Sequence, residues 1–259
     1  VKVEKKHGKN LPREEFIAKC VEWTHEFIAK MRAQMQRFGF SADWSREYKT
    51  IDPDYHRRVQ YSLIKMYEQG LVYRQKHPVF WCTECGSAIA KAETEEVERE
   101  TKLNYLIFKV DGQDVEIATT RPEYLHACVA VFVHPDDERY KDIVGKEAIT
   151  PLGKKVPIMS DVDVDKEFGS GVVMVCTFGD KQDAVWVYRH NLPVIDAIDE
   201  RGRIINAGPE YDGLTLIEVR KKVVEDLKAK GLITKIESLK QVVKIHDRCK
   251  RPVELRRSE

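Results

Sequence analysis

Two carboxylates, Asp180 and Asp183, stand three residues apart in "CTFGDKQDAVWVYRH" (176–190), where an apolar run ends and a helix-spaced run begins. At an N-cap and a third helical position, such acids satisfy free N–H groups and oppose the helix dipole. At the exit of a buried strand they can instead hold a cation, an ammonium group among them. A second polar cluster has a similar setting. "VEIATTRPEYLHACVAV" (115–131) runs as a strand into Thr119, Thr120, Arg121, Pro122 and Glu123, then into another apolar run. Pro122 cannot continue a ladder, and the segment reads either as a polar turn or as one wall of a site for a polar ligand.

The third cluster is rich in sulfur. In "FWCTECGSAIAKAE" (80–93), Cys82 and Cys85 have the spacing that lets two thiolates bite one tetrahedral metal, and Gly86 permits a tight turn. "HDRC" offers His246 and Cys249 at the same spacing, which gives a Cys3His set for a structural zinc. Such a metal would staple the start of a domain to its end. A thioredoxin-like redox pair also reads WCxxC. That reading leaves His246 and Cys249 unused, and no good helix follows Cys85 at once. Two unbound cysteines are the plain alternative. Cys20, Cys128 and Cys176 stand alone, as core or pocket residues.

These clusters need elements to hold them. Apolar residues at helical spacing (Ile17, Val21, Phe27, Ile28, Met31, Met35) predict a helix from Pro12 to Phe38, stopped by Gly39. Asp52 and Pro53 start a second, which runs through Val59, Leu63, Met66 and Tyr67 to Gly70. From about residue 103 to 200 the chain reads as short strands, "NYLIFKV", "VEIATT", "CVAVFV", "VPIM", "GVVMVC" and "LPVIDAI", broken by one helix near Asp180. A last helix, 216–230, opens on a capping box of Thr215 and Glu218 and ends at Gly231.

The whole chain sets wider bounds. Its 259 residues are 42% hydrophobic and 34% charged, with net charge +1, so total charge does not speak for nucleic acid. Residues 2–13 and 244–257 are locally basic, which suits either a phosphate backbone or ordinary solvated faces. Six irregularly spaced cysteines and no visible signal peptide predict a reducing, cytoplasmic setting. The apolar runs are strand-sized, so no membrane association is expected. The first residue is not Met, and the chain reads as a piece of something longer.

With these residues in view, the chain resembles class I aminoacyl-tRNA synthetases of the valine, isoleucine and leucine group, and archaeal-type valyl enzymes most closely. The similar stretches are "SADWSREYKTIDPDYHRRVQ", "GLVYRQKHPVFWCTECGSAIAKAE", "IATTRPE", "AVFVHPDDERY", "EFGSGVVMVCTFGDKQD", "RHNLPVI" and "RCKRPVEL". "TTRPE" is shared with leucyl enzymes, and "DWSREY" tips the balance to valine. Many bacterial relatives read Thr-Pro-Ala-His-Asp where this chain has "CTFGD". They also carry Thr at the place of Tyr124 and Lys at that of Met174. His246 stands where a Cys is more usual.

The resemblance implies a mixed α/β fold: a β-rich, barrel-like editing domain with peripheral helices, an N-terminal helical segment and a zinc knuckle. The implied bounds are 1–79 for the helical segment, 80–100 and 240–259 for the knuckle and linker, and 101–239 for editing. The implied activity is hydrolysis of threonyl-tRNA-Val, threonine being nearly isosteric with valine. Asp183 would anchor the α-ammonium and Asp180 support it. Thr119, Thr120 and Arg121 would form the opposite wall, with Glu123, Tyr124 and Cys176 in the pocket and Phe168 as an apolar side. No Ser–His–Asp or Cys–His pattern converges, so a positioned water is expected to attack. ATP-site signatures like His-Ile-Gly-His and Lys-Met-Ser-Lys-Ser are absent, so ATP belongs only to a full-length synthetase. The implied partners are the 3′ end of tRNA-Val and the remainder of the synthetase chain. Competing expectations are a zinc-stapled, non-catalytic tRNA-docking module and the redox module.

Overall fold

A computed structural model describes residues 2–8 and 10–258. By its contacts the chain divides into two compact units, Val1–Arg74 and Gln75–Glu259. The first unit holds α1 (Lys2–His7), α2 (Arg13–Arg37), a short 3₁₀ turn (Trp44–Arg46) and α3 (Pro53–Glu68). Pro12 and Asp52 stand at the N-caps of α2 and α3, and Gly39 and Gly70 take positive φ just past their ends. Trp23 stacks on Phe27 at 4.1 Å. Neither α2 nor α3 buries a residue fully, and Met31, Met35, Phe38, Leu63, Ile64 and Tyr67 are exposed.

The second unit is built on strands: β1 (His77–Cys82), β2 (Ser87–Ala88), β3 (Thr94–Val110), β4 (Gln113–Thr119), β5 (Ala130–Val133), β6 (Glu147–Ile149), β7 (Lys155–Ser160) and β8 (Val172–Val175). Two helices follow, α4 (Lys181–Arg189) and α5 (Leu216–Ala229), then β9 (Ile233–His246) and β10 (Glu254–Ser258). A seven-stranded, mixed sheet runs in the order β4-β3-β6-β7-β5-β8, with β9 paired along β3. A three-stranded sheet, β10-β1-β2, carries the cysteine knuckle. The fold is therefore mixed α/β. Among the described residues no helix is long and apolar enough to cross a membrane.

The main core joins alternate residues of β3 and β4 (Leu106, Phe108, Ile117) to Val131, Val133, Val156 and Ile158, under Val219, Val223 and Leu227 of α5. A second cluster lodges α4 through Trp186 and Val187 against Phe132 and Val175. The Thr215–Glu218 box caps α5 as the sequence predicts. Two expectations need correction. "LPVIDAI" (192–198) forms no strand. It is an irregular segment held by an isolated bridge of Ile198 to Ile204, by the Ile205 N–H donating to the Ala197 carbonyl at 3.0 Å, by the Ile195 N–H donating to Thr177 Oγ1 at 3.3 Å, and by Asp196 paired with Arg257. The second concerns residues 94–103 and 233–246, which the strand pattern left out. They form a long antiparallel ribbon, with Thr94 opposite His246 and Asn104 opposite Ile236.

Candidate functional site

The turn after β8 is built by Thr177, which adopts φ 49° with its hydroxyl donating to the Ala127 carbonyl at 3.2 Å. Asp180 follows as the extended N-cap of α4, and its Oδ1 accepts the Asp183 N–H at 2.9 Å. Asp183 has a different job. Its carboxylate turns back to the strand, where Oδ2 accepts the Cys176 N–H at 3.2 Å. Asp183 is only 7% exposed. Burial, and then the Asp180 carboxylate beside it, push its carboxyl well above the usual range; the Cys176 N–H and Arg121 offset this only in part. Such a group favours taking up a proton or a cation. Gly179 is what lets the turn close on it, because a Cβ there would lie 2.7 Å from Asp183 Oδ2.

The second wall meets the first through Arg121. Thr119 ends β4, and its hydroxyl accepts the Arg121 N–H at 3.0 Å. Arg121 Nη1 then donates to the Gly179 carbonyl at 3.3 Å. The same guanidinium bonds Glu123 at 3.0 Å and Glu254 at 2.6 Å, and lies over the Tyr124 ring at 4.5 Å. Glu123 is fully buried and also takes Arg220 of α5 through Nε at 2.9 Å. Burial alone would raise the Glu123 pKa, yet Arg220 and Arg121 more than offset it and hold the carboxylate ionised. The Tyr124 hydroxyl donates to Glu254 at 3.0 Å. Glu123 and Tyr124 thus lie beneath the wall and brace it.

Thr120 is half-buried, whereas Phe168 is 48% exposed. The loop bearing Phe168 is drawn onto β4: Gly169 has φ 60°, and a Cβ there would stand 2.5 Å from that of Ala118. Cys176 is buried, and burial followed by Cys128 raises its thiol well above the ordinary value, so it is a poor nucleophile. Sequence reasoning missed Arg220 and Glu254. Each is close in space and distant in the chain, and no local pattern marks either.

The four metal candidates converge. The ligand atoms of Cys82, Cys85, His246 and Cys249 all lie within 4.8 Å of one another. Cys82 Sγ is 3.5 Å from Cys249 Sγ, and His246 Nδ1 lies 3.3 Å from Cys249 Sγ and 3.6 Å from Cys85 Sγ. Zinc bonds of about 2.3 Å to sulfur and 2.0 Å to nitrogen put tetrahedral ligands roughly 3.5–3.8 Å apart, so the donors fit such an ion. The two halves also share a backbone design. Gly86 N–H donates to the Cys82 carbonyl and Lys250 N–H to that of His246, each at 2.8 Å, and both residues have positive φ, 64° and 58°. Burial and the neighbouring Cys82 push the Cys85 thiol up to about 12, a crowding that a bound cation would relieve.

The knuckle also reaches the acids' side of the molecule. Trp81, beside Cys82, pairs with Glu254 across β1 and β10, and Glu254 holds Arg121.

Comparison with known proteins supplies the lineage. The chain is 52% identical to the valine–tRNA ligase of Methanothermobacter thermautotrophicus and 51% identical to that of Methanocaldococcus jannaschii, each over 98% of this chain. The enzyme of Pyrococcus furiosus is 52% identical over the same share. This chain spans about 30% of the length of these relatives. Among solved structures, a LeuRS–tRNA–LeuAMS ternary complex from Agrobacterium radiobacter K84 matches 96% of this chain and 40% of its own, at 18% identity and a TM-score of 0.41. The family model for class I tRNA synthetases (I, L, M and V) matches residues 1–244, and the chain belongs to that family.

Proposed function

We propose that this chain is the proofreading region of a valine–tRNA ligase, and that it hydrolyses threonine from mischarged tRNA-Val. The need is chemical. An apolar pocket rejects an added hydroxyl by only about a hundredfold, a limit known for this very synthetase rather than derived from this chain. A second site that hydrogen-bonds the hydroxyl inverts the preference, because valine leaves its polar groups unpaired.

One observation carries the reading. Asp183 is a buried carboxylate with no basic side chain ion-paired to it among the described residues, beside a turn that Arg121 ties to the "TTRPE" wall. The α-ammonium of an aminoacyl ester supplies the missing charge. Asp180 caps α4 and holds that wall, Thr119, Thr120 and Arg121 face the ester and terminal adenosine, and Phe168 gives an apolar side. Glu123 and Tyr124 position Arg121 from below, and Cys176 lends Asp183 its N–H. A water held between the walls attacks the ester carbonyl, and no covalent intermediate forms.

In this reading residues 101–239 form a barrel-like editing domain, and residues 80–100 with 240–259 form the knuckle and linker. Zinc would be held by Cys82, Cys85, His246 and Cys249, and would supply structure, not chemistry. Residues 1–79 belong with the rest of the synthetase, whose chain would cover their exposed apolar side chains and whose ATP site would activate valine in the cytoplasm. Convergence of all four donors favours a metal over a redox pair.

Threonyl-tRNA-Val incubated with the protein should release threonine, and Asp183→Ala should abolish the release. Equal rates for parent and variant would remove the anchor. No release by the full-length enzyme would leave a tRNA-docking module.

A further inference from the structure

The strands bearing the site share one end with a hairpin of which sequence reasoning gave only the second strand, "VPIM". β5 and β7 are parallel with Val131 opposite Ile158, which sets the start of β7 level with Cys128. β8 is antiparallel to β5 with Ala130 opposite Val175, which brings Cys176 to that same end. β6 is antiparallel to β3 and leaves it heading toward Asn104, the partner of Thr119. The β6–β7 tip, residues 150–154, therefore lies at the end of the strands where Cys128 and Cys176 stand.

The tip is firmly built. Thr150 N–H donates to the Lys154 carbonyl at 2.8 Å, and its hydroxyl accepts the Lys154 N–H at 3.1 Å. The Lys154 side chain turns inward, and Nζ donates to the Cys128 carbonyl at 2.6 Å. Burial lowers its pKa, while Cys128 and Cys176 act the other way. Cys128 is followed by Val129, whose N–H donates to the Val175 carbonyl at 2.8 Å, and the next residue, Cys176, donates its N–H to Asp183 Oδ2 at 3.2 Å.

An ammonium carries three N–H donors. Lys154 spends one on Cys128, and no carboxylate forms an ion pair with it among the described residues. The remaining donors suit an oxygen, not a second cation. If Asp183 takes the substrate's ammonium and the Thr119–Arg121 wall its ester, the oxygen left is the side-chain hydroxyl.

We propose that Lys154 is the specificity residue of this site, donating to the hydroxyl of the bound aminoacyl group. The proposal rests on the deacylase reading. A hydroxylated guest fills a donor that an aliphatic isostere strands against a half-buried wall.

The test uses the full-length protein as parent, Lys154→Met and Lys154→Arg, with kcat/KM measured separately on threonyl- and valyl-tRNA-Val. Lys154→Met should lose about tenfold or more on the threonyl ester and little on the valyl ester. Lys154→Arg, which keeps N–H donors, should retain part of the preference. Should Lys154→Met fail to fold, Lys154→Leu, which also has no donor, takes its place with the same loss of preference expected. Equal falls on both esters, or an unchanged preference, overturn the proposal while leaving the deacylase reading intact. A parent that releases no threonine overturns both.

Discussion

At the residue scale, the buried Asp183 carboxyl costs the fold stability when it ionises. Its carboxyl is raised by burial first and Asp180 second, so the folded protein binds a proton more tightly than the unfolded chain does. The stability this contributes is fully present below the ordinary aspartate pKa of about 4 and is lost as pH rises through the folded value. Asp183→Asn should therefore melt higher than the parent at neutral pH and equally near pH 3. The gain at neutral pH follows from the upward direction of the shift, because ionising the buried carboxyl costs the parent stability that the neutral amide does not lose. Threonine release should vanish in the same variant. Thermal melts across pH read the first effect; an unchanged neutral melting temperature would mean the buried acid carries no penalty. Gly179 sets a second residue-level limit. Gly179→Ala would put a methyl 2.7 Å from Asp183 Oδ2, so the carboxylate or the turn must shift. A displacement of about 1 Å at reacting groups costs roughly a hundredfold, so deacylation should fall by about that factor with the fold retained.

At the element scale, the helices, caps and strands with a periodic apolar pattern could be read from sequence, and the ribbon without one could not. The Asp180 cap, the Thr215–Glu218 box and the buried runs around Phe108, Phe132 and Val175 follow from period and composition. The β3–β9 ribbon does not, because its outer half is largely exposed and charged, with a pair such as Lys244–Glu96 in place of an apolar face. The Cys82/Cys85 and His246/Cys249 halves were legible as chelating pairs, whereas their link to the Arg121 turn was not. That link runs from Cys82 to Trp81, across the ladder to Glu254, and on to Arg121 and the Gly179 carbonyl. The Glu123 carboxylate shares in it. Removing one partner of a buried ion pair costs about 3–5 kcal/mol, so Glu123→Ala should destabilise by that order, with Arg121 and Arg220 left without their carboxylate. Chemical denaturation measures this; a loss under about 1 kcal/mol would mean that Glu254 alone suffices. Because the Glu123 pKa is held down, its contribution is present above the ordinary glutamate value and fades as pH falls through the folded one.

At the scale of the whole molecule, the two units differ in what holds them. Every member of the three buried clusters lies between Leu103 and Leu227, and their partly buried neighbours extend to Leu255. The first unit has two long helices with no fully buried side chain and a single buried apolar residue, Val3, among those described. Helices without a covered apolar face are marginal in water, since nucleation is unfavourable and propagation returns little per residue. The second unit, by contrast, has the size, the core and the donors for a metal that ties residue 82 to residue 249, and closing so long a loop restricts the unfolded chain strongly. Residues 75–259 expressed alone should therefore unfold in one sharp transition, bind about one zinc ion, and lose several degrees of Tm when a chelator removes it. Residues 1–74 alone should show weak helicity that melts gradually. Calorimetry and circular dichroism with and without chelator separate the cases. A broad, metal-indifferent melt of 75–259 would mean that the cysteine knuckles decorate the fold and do not close it.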